Sequence, residues 1–482
     1  MVAAIRTDVR ISPDPSRVIA RPFLPGSPAF GDGESRLHLI VERVLALTAE
    51  QVQRRLAATR PRFERRHENL DSLWESHARE ALGAAGIADD VLSGDHLLLL
   101  GSYFTLEYAL ESAAICNPSM APAPEGQGRF IMTLRAIGEG HISSVEFRTG
   151  SITGDRVTLD EPTARVSPGA RRSPTYEREP FLARLREFDP DPELVAYVFE
   201  HLDSTFSLED LDTAISRTRR ERGISEAAMF ETVRLAHWVA TSNYEVTFAF
   251  GALSGRVLVP AGPADSRGIE DVRLVRFEDE DGAVRYLGTY TAFDGFTILP
   301  QLIETTDFHT FRISTMSGSA ARNKGMALFP RRISGDYVAL GRIDRESLFV
   351  MRSDRLRSWE RAELVYPPTA DWELVQVGNC GPPIETEEGW LVLTHGVGPM
   401  RTYAMGAILL DLERPEHVIG RLEEPLLEPD ESERNGYVPN VVYSCGGLAH
   451  EGKLVIPYGF SDWNVGVAVA DVDDLLDALV PV

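Results

Sequence analysis

The sequence has few cysteines and no long apolar run, and these two shortages exclude several classes of protein. Cys116, Cys380 and Cys445 are its only cysteines. They are far apart and odd in number, which argues against a disulfide framework or a zinc knuckle and favours reduced thiols in a cytoplasm. No apolar run approaches the ~18 residues of a membrane helix, and Met1–Arg10 lacks the apolar core of a signal peptide. We therefore expect a cytoplasmic protein with no membrane partner.

Signatures of common metal and nucleotide enzymes are also missing. The 11 histidines do not cluster at metal-ligand spacing. There is no Gly-x-Ser-x-Gly nucleophile elbow and no phosphate-binding Walker loop. We expect neither a bound metal nor an organic cofactor.

Basic residues are outnumbered, since 49 Lys and Arg face 73 Asp and Glu and give a formal net charge of −24. Such a surface repels phosphate backbones and anionic headgroups. The sequence therefore predicts no nucleic-acid partner.

What is present indicates a large globular protein with helical segments near its beginning. Hydrophobic residues make up 43% of the 482 residues and charged residues 25%. Residues 1–34 are rich in Pro and Gly and predict an extended lead-in. Helical spacing begins at Ser35, and Thr48 with Gln51 forms a capping box that predicts a second helix. We assign residues 1–95 to a helical N-terminal region.

Most of the remaining chain has the pattern of short strands. Alternating or apolar runs between Gly and Pro predict strands at His96–Phe104, Arg129–Ala136 and His141–Phe147. A helical block at 176–241 follows, with Ser207 and Ser225 as N-caps. Strand patterns with regular turns then continue to Val469, and a short helix follows them. A sandwich, a barrel or a propeller fits this pattern, and hairpins of similar size favour the propeller.

Several ordered motifs resemble glycoside hydrolase family 130. They are the segments Asn117–Ser119 with Thr133–Ala136, Gly268–Arg273 with Tyr286–Gly295, Asn323–Pro330 with Arg342, Gly381–Ile384 with Thr394–Val397, and Pro439–Tyr443 with Tyr458–Asp462. The resemblance implies a five-bladed β-propeller over residues 96–482, interrupted by the helical insertion at 176–241. It also implies an enzyme that cleaves β-mannosides with inversion, with its site at a funnel on the propeller axis.

The favoured reaction is phosphorolysis, in which inorganic phosphate is the co-substrate and α-mannose 1-phosphate the product. Cleaving a glycosidic bond requires a proton donor for the leaving oxygen. By resemblance that donor is Asp271, which in phosphorylases acts through a sugar hydroxyl. From the residues alone, Asp271 could instead cap a strand or pair with Arg273.

A phosphate nucleophile requires no base but needs a cationic cradle. The resemblance predicts phosphate-binding groups that are cationic or hydrogen-bonding: Arg135, Lys324, Arg342 and His395. Further polar groups are predicted to bind the sugar: Asn117, Ser119, His141, Arg273, Tyr403, Asn440 and Asp462. His141 is included because its Gly-rich loop could bring backbone amides to an oxyanion.

Hydrolysis by an inverting β-mannosidase of the same fold is the alternative. Gln376 stands where many phosphorylases of the family carry a lysine, and an amide supplies no charge. A hydrolase needs a second carboxylate to activate water. The candidate bases are Glu304, Asp307 and Glu385.

A sugar-binding propeller without turnover is a third reading, which an intact Asp271 argues against. The expected partners are a β-mannoside oligosaccharide or mannosyl conjugate and phosphate. The two helical regions could narrow the funnel or build a homo-oligomer interface.

Overall fold

The structure is a computed structural model that describes residues 4–25, 36–88, 92, 94–249 and 251–482. The chain forms two compact units. The smaller comprises Asp14–Ser112 and Thr163–Ser167, and the larger comprises Met1–Pro13, Ala113–Pro162 and Pro168–Val482. Parts of the predicted lead-in, residues 1–3 and 26–34, lie outside the described residues.

The smaller unit is mainly helical. After strand β1 (Ile5–Ile11), which belongs to the larger unit, it contains these elements: β2 (Val18–Pro22), α1 (Arg36–Leu45), α2 (Ala49–Phe63), α3 (Leu70–Ala84), α4 (Asp95–Tyr103) and β3 (Thr105–Ala109). The capping box that starts α2 is confirmed, since Gln51 N donates to Thr48 Oγ1 and Thr48 N to Gln51 Oε1.

The prediction of a strand at His96–Phe104 is wrong, because this segment forms α4. A short apolar run does not distinguish a buried strand from a buried helix by periodicity alone. Leu97, Leu99 and Leu100 are all buried in the helix. Gly101 lies directly against the backbone of Trp74, where any side chain would collide, so α4 packs closely on α3.

The larger unit is mainly β, with a helical insertion in its first half. That half contains β4 (Ala114–Pro122), β5 (Arg129–Ile137), β6 (Ser143–Thr153), β7 (Arg156–Leu159), β8 (Ala170–Arg172), β9 (Tyr176–Glu177), α5 (Arg178–Arg186), α6 (Pro192–Phe199), β10 (Thr205–Phe206), α7 (Leu208–Arg222), α8 (Glu226–Thr241), β11 (Tyr244–Thr247) and β12 (Val257–Leu258). The predicted caps are confirmed: Ser207 accepts from Asp210 N and Ser225 from Ala228 N.

The second half of the larger unit consists almost entirely of strands. They are β13 (Gly268–Glu278), β14 (Val284–Phe293), β15 (Ile298–Thr305), β16 (Thr310–Thr315), β17 (Ala327–Leu328), β18 (Tyr337–Gly341), β19 (Leu348–Ser353), β20 (Arg361–Tyr366), β21 (Gln376–Asn379), β22 (Ile384–Glu385), β23 (Trp390–Val397), β24 (Tyr403–Leu410), β25 (Val418–Arg421), β26 (Val442–Tyr443), β27 (Leu448–His450), β28 (Lys453–Phe460) and β29 (Asn464–Asp471). The predicted closing helix is confirmed as α9 (Val472–Asp477).

The strands repeat one antiparallel pattern five times. The meanders are β4–β7, β13–β16, β17–β20, β21 with β23–β25, and β26 with β28, β29 and β1. The first two belong to one sheet through a bridge between Gly268 and Ser143. In the fifth, Ile5 pairs with Val469, so a strand from the predicted lead-in completes the sheet that the last strands begin.

Apolar side chains between neighbouring meanders form the core. Ile115 and Met132 of the first pack with Val455 and Val467 of the fifth. No helix in the described ranges is both long and apolar enough to span a bilayer.

Candidate functional site

Two irregular strand positions orient the polar groups of the site. The pairing of β4 with β5 shifts register between Cys116 and Ser119, and that of β13 with β14 shifts between Glu270 and Arg273. Asn117 and Asp271 lie in these shifts with φ of 49° and 58°. A bulge changes the direction of a side chain without ending the strand. Here the two bulges bring an amide and a carboxylate together.

Asp271 is buried and engaged by two donors. Nδ2 of Asn117 donates to its Oδ1, and Nη1 of Arg135 lies 3.2 Å from the same oxygen. The Asp271 residue is only 8% exposed. The predicted acid is therefore in contact with one predicted phosphate ligand and one predicted sugar ligand.

Glu270 joins two of the predicted cations. Its Oε1 accepts from Nη2 of Arg135 at 2.6 Å, and its Oε2 accepts from Nζ of Lys324 at 2.7 Å. This carboxylate fixes both cations beside Asp271 and partly neutralises them. Glu270 was not predicted as a site residue, although it lies in the same Glu-Asp-Val-Arg segment.

The ionisation of Asp271 depends on opposing influences. Burial raises its pKa, whereas the charges of Arg135, Lys324 and Arg273 and the hydrogen bond from Asn117 lower it. The net effect is a pKa below the usual value, so the carboxyl is ionised at neutral pH. An anion that neutralised these cations would leave burial as the dominant influence on the pKa of Asp271.

Arg273 is 1% exposed and makes three hydrogen bonds to neighbouring segments. Nη2 donates to the Tyr443 hydroxyl at 2.6 Å and Nε to Oδ1 of Asn379 at 3.2 Å. Nη1 donates to the backbone oxygen of Asp271 at 3.0 Å. Asn379 also donates to Gly325 O at 2.6 Å, next to Lys324. Arg273 thus holds several site segments in register, so the predicted sugar contact stays a prediction.

Arg342 and His395 form a second cationic position. Nη1 of Arg342 lies 3.2 Å from Nε2 of His395, while the His395 Nδ1 lies 3.2 Å from the backbone oxygen of Asn379. Burial first, and then the charges of Arg342 and Arg273, hold the pKa of His395 well below its usual value. The imidazole is therefore neutral, carries its proton on Nδ1 and accepts from Arg342 through Nε2.

Asp462 is a second carboxyl whose ionisation is linked to that of Asp271. Burial, followed by the negative charge of Asp271, raises the pKa of Asp462 to about 6, against the charges of Arg135 and Arg401. Its backbone is left-handed, with φ of 47° in the hairpin between β28 and β29. Two carboxyls with separated pKa values therefore belong to one electrostatic cluster.

Four other predicted sugar ligands occupy different environments. Ser119 Oγ is fully buried and accepts from Leu274 N at 3.0 Å, which makes it a strand-to-strand contact. The Tyr403 ring stacks on His395 with centroids 6.1 Å apart. Asn440 Oδ1 accepts from Arg434 at 3.0 Å. His141 is exposed, with Nδ1 3.2 Å from the Tyr437 hydroxyl.

The three candidate hydrolytic bases are engaged elsewhere. Glu304 pairs with Arg285 at 3.0 Å, and Glu385 pairs with Arg331 at 2.6 Å. Asp307 accepts from His309 N and Thr310 N in a strand turn. None of these bonds joins them to Asp271, and each carboxyl has a structural role in its own hairpin or ion pair.

Sequence reasoning missed Asn379 and Tyr443 as well as Glu270. Asn379 lies just before the Gly381–Ile384 motif and Tyr443 ends the Pro439–Tyr443 motif. The signal that could have found them was their position inside or next to motifs already identified. Their buried contacts with Arg273 depend on the folded arrangement of three strands, β13, β21 and β26, which a linear motif does not contain.

Comparison with known proteins gives a family match over the strand-rich second half of the chain. The family profile described as beta-1,4-mannooligosaccharide phosphorylase matches residues 248–480. A 1,2-beta-oligomannan phosphorylase of Thermoanaerobacter sp. (strain X514) is 40% identical over 155 residues, which is 32% of this chain and 52% of the relative. A beta-1,2-mannobiose phosphorylase of the same strain is 34% identical over 228 residues, which is 45% of this chain and 70% of the relative.

A solved structure also aligns with the chain. It is the beta-1,2-mannobiose phosphorylase from Listeria innocua in complex with beta-1,2-mannobiose. The alignment has a TM-score of 0.46 and 21% identity, and it covers 77% of this chain and 93% of that chain.

Proposed function

Because this chain belongs to glycoside hydrolase family 130, we propose that it cleaves β-mannosides with inversion by phosphorolysis. The products would be α-mannose 1-phosphate and a shortened acceptor. Two curated relatives that match the chain are phosphorylases of mannosides by name. This supports phosphorolysis over hydrolysis as the reaction of the present site.

The architecture we infer is a five-bladed propeller with the site on its axis. Five antiparallel meanders of similar size support it, together with the pairing of β1 with β29, which in a propeller would close the ring of blades. On this interpretation residues 96–482 form the catalytic domain together with β1, the rest of 1–95 is a helical N-terminal region, and 176–241 is an insertion.

One observation carries the proposal: a buried carboxylate surrounded by cations that are fixed before any ligand binds. Arg135 is bonded to both Asp271 and Glu270, and Lys324 to Glu270. Arg342 is oriented by neutral His395. An incoming phosphate dianion needs this kind of cradle, whereas an attacking water needs a free carboxylate base.

Phosphate binding would also prepare the acid. An anion bound to Arg135 and Lys324 would neutralise the charges that lower the pKa of Asp271. Burial would then raise that pKa, so that Asp271 could hold a proton in the ternary complex. A phosphate oxygen forms the bond to C1 as the C1–O bond breaks, and the proton passes from Asp271, directly or through a sugar hydroxyl, to the leaving oxygen.

The remaining assignments follow from this reaction. The substrates are a β-mannoside oligosaccharide or mannosyl conjugate and inorganic phosphate, and no organic cofactor or metal takes part. Cys116, Cys380 and Cys445 are free and buried, which supports a reducing cytoplasm. The helical regions are the parts from which a homo-oligomer interface would be built.

The test uses a panel of mannobioses that differ in linkage, incubated with the protein with and without phosphate. We expect at least one linkage to be consumed only when phosphate is present. Release of free mannose without phosphate would contradict phosphorolysis and support the β-mannosidase alternative. Binding of mannobiose with no consumption under either condition would support a non-catalytic sugar-binding protein.

A further inference from the structure

Large side chains are exposed at the hairpin tips beside the site. Register places the tip after β14 at the Asp271 end of the second meander, since Gly268 at the start of β13 pairs with Phe293 at the end of β14. Phe296 is 97% exposed, Met400 89% and Trp463 47%. Apolar groups exposed around a polar site are typical of ligand-binding rims.

One aromatic contact at this rim connects the first and fifth meanders. The Tyr437 hydroxyl lies 3.2 Å from Nδ1 of His141, and the two rings are 5.7 Å apart and inclined by 31°. Tyr437 is still 53% exposed. The contact therefore orients the tyrosine ring without burying it.

The loop that carries Tyr437 is fixed on the hairpin of Asp462. Val438 N donates to Ser461 O at 2.9 Å, and Gly436 lies so close to Ser461 that a side chain at 436 would collide. Arg434 Nε donates to Oδ1 of Asn440 at 3.0 Å across the base of the loop. The ring is thus held in position from two sides.

This hairpin is directly connected to the catalytic cluster. Ile115 N donates to Trp463 O at 3.2 Å, and Ile115 is two residues before Asn117, which contacts Asp271. Asp271 is buried whereas Tyr437 is exposed. Tyr437 is therefore an exposed side chain on a loop that is linked through this hairpin to the strand of Asn117.

We infer that Tyr437, oriented by His141, is a platform for a pyranose ring of the acceptor part of the substrate. The inference rests on the proposed function, which places the cleaved mannosyl ring in the buried cluster. An aromatic ring offers a flat apolar face to the C–H face of a sugar, and a ring fixed in advance loses little entropy on binding.

The test compares the wild type with Tyr437→Ala, Tyr437→Phe and the control Phe230→Ala. Phe230 is 64% exposed on α8, in the helical insertion. In the synthetic direction we measure the KM for mannobiose as acceptor and, separately, the KM for α-mannose 1-phosphate. Tyr437→Ala should raise the acceptor KM on the order of tenfold and leave the donor KM within about twofold.

The two control variants separate the effect of losing the aromatic ring from other effects of substitution. Tyr437→Phe keeps the aromatic face and should keep the acceptor KM within about threefold of wild type, and Phe230→Ala should change neither constant. An unchanged acceptor KM in Tyr437→Ala, or an equal rise of both constants, overturns the platform.

Calorimetry of mannobiose binding in the absence of phosphate tests the platform independently of the proposed reaction. If the wild type turns nothing over, the proposed function fails. Binding about tenfold weaker in Tyr437→Ala than in wild type would still support the platform. Equal binding, or no binding to either protein, would overturn it.

Discussion

Nη1 of Arg135 lies 3.2 Å from Oδ1 of Asp271, and the same guanidinium also donates to Glu270 at 2.6 Å. The charge of the arginine therefore favours the ionised form of Asp271. In the mechanism we propose, a phosphate bound to Arg135 would change the charge next to the proton-donating carboxyl. Binding of the nucleophile and activation of the acid would then be coupled through this one side chain.

Asp271→Asn should reduce turnover by about 10³-fold or more, because the amide cannot donate an acidic proton. The fold should persist, since an amide keeps the shape of the side chain and an acceptor oxygen for Arg135. Initial rates with mannobiose and phosphate, together with a melting curve, test this. Asp281→Asn, the same change in the exposed turn before β14, is the control. Full activity in Asp271→Asn would refute the assignment of the acid.

Lys324→Ala should raise the KM for phosphate about tenfold or more and change the KM for mannoside less. Its ammonium group lies 2.7 Å from Glu270 inside the cationic cluster. Phosphate saturation curves at fixed mannoside measure the effect. Lys453→Ala is a matched control, because the other lysine of the sequence pairs with Asp155 and Asp471 outside the site. Equal phosphate constants in the two variants would exclude Lys324 from the cradle.

His395→Ala should also weaken phosphate binding, by about tenfold, because Arg342 loses the acceptor that orients it. Burial and the charges of Arg342 and Arg273 hold the pKa of His395 well below its usual value, so its imidazole is neutral. Nitrogen NMR of the wild type should show a neutral ring protonated on Nδ1 at pH 6. The exposed His417 supplies the control as His417→Ala. An imidazolium signal at pH 6 would contradict this account.

Asp462→Asn should stabilise the protein more at pH 8 than at pH 5. The pKa of Asp462 is raised to about 6 in the folded protein, so its contribution favours folding at low pH and is lost as pH rises through about 6. An asparagine is neutral at every pH. Above pH 6 the variant should therefore gain at most about 3 kcal/mol in its free energy of unfolding relative to wild type. Melting temperatures of both proteins across pH 5–8 measure it, with Asp281→Asn as the reference. A difference in melting temperature that does not change with pH would show that the pKa of Asp462 is not raised in the folded protein.

The sequence predicted the members of the cluster better than their contacts. Asp271, Arg135 and Lys324 lie in ordered motifs, so their convergence could be anticipated from the resemblance. The role of Glu270 could not be anticipated in this way, because it pairs two cations that only the folded strands bring together. The same limit applies to Asn379 and Tyr443.

Local pattern was misleading where tertiary contacts decide the structure. The leucine-rich segment at 96–104 has an apolar run that fits a strand, but packing against α3 makes it a helix. Strand β1 alternates only weakly, with mainly exposed and half-buried residues. Its assignment depends on β29, 453 residues or more further along the chain, which no local signal reveals.

The most direct test of the central claim is to follow the wild-type reaction of a β-mannobiose with inorganic phosphate by phosphorus and proton NMR. We expect α-mannose 1-phosphate to be the first product and one phosphate to be consumed for each bond cleaved. Free mannose formed at the same rate with and without phosphate, and no sugar phosphate signal, would contradict this expectation.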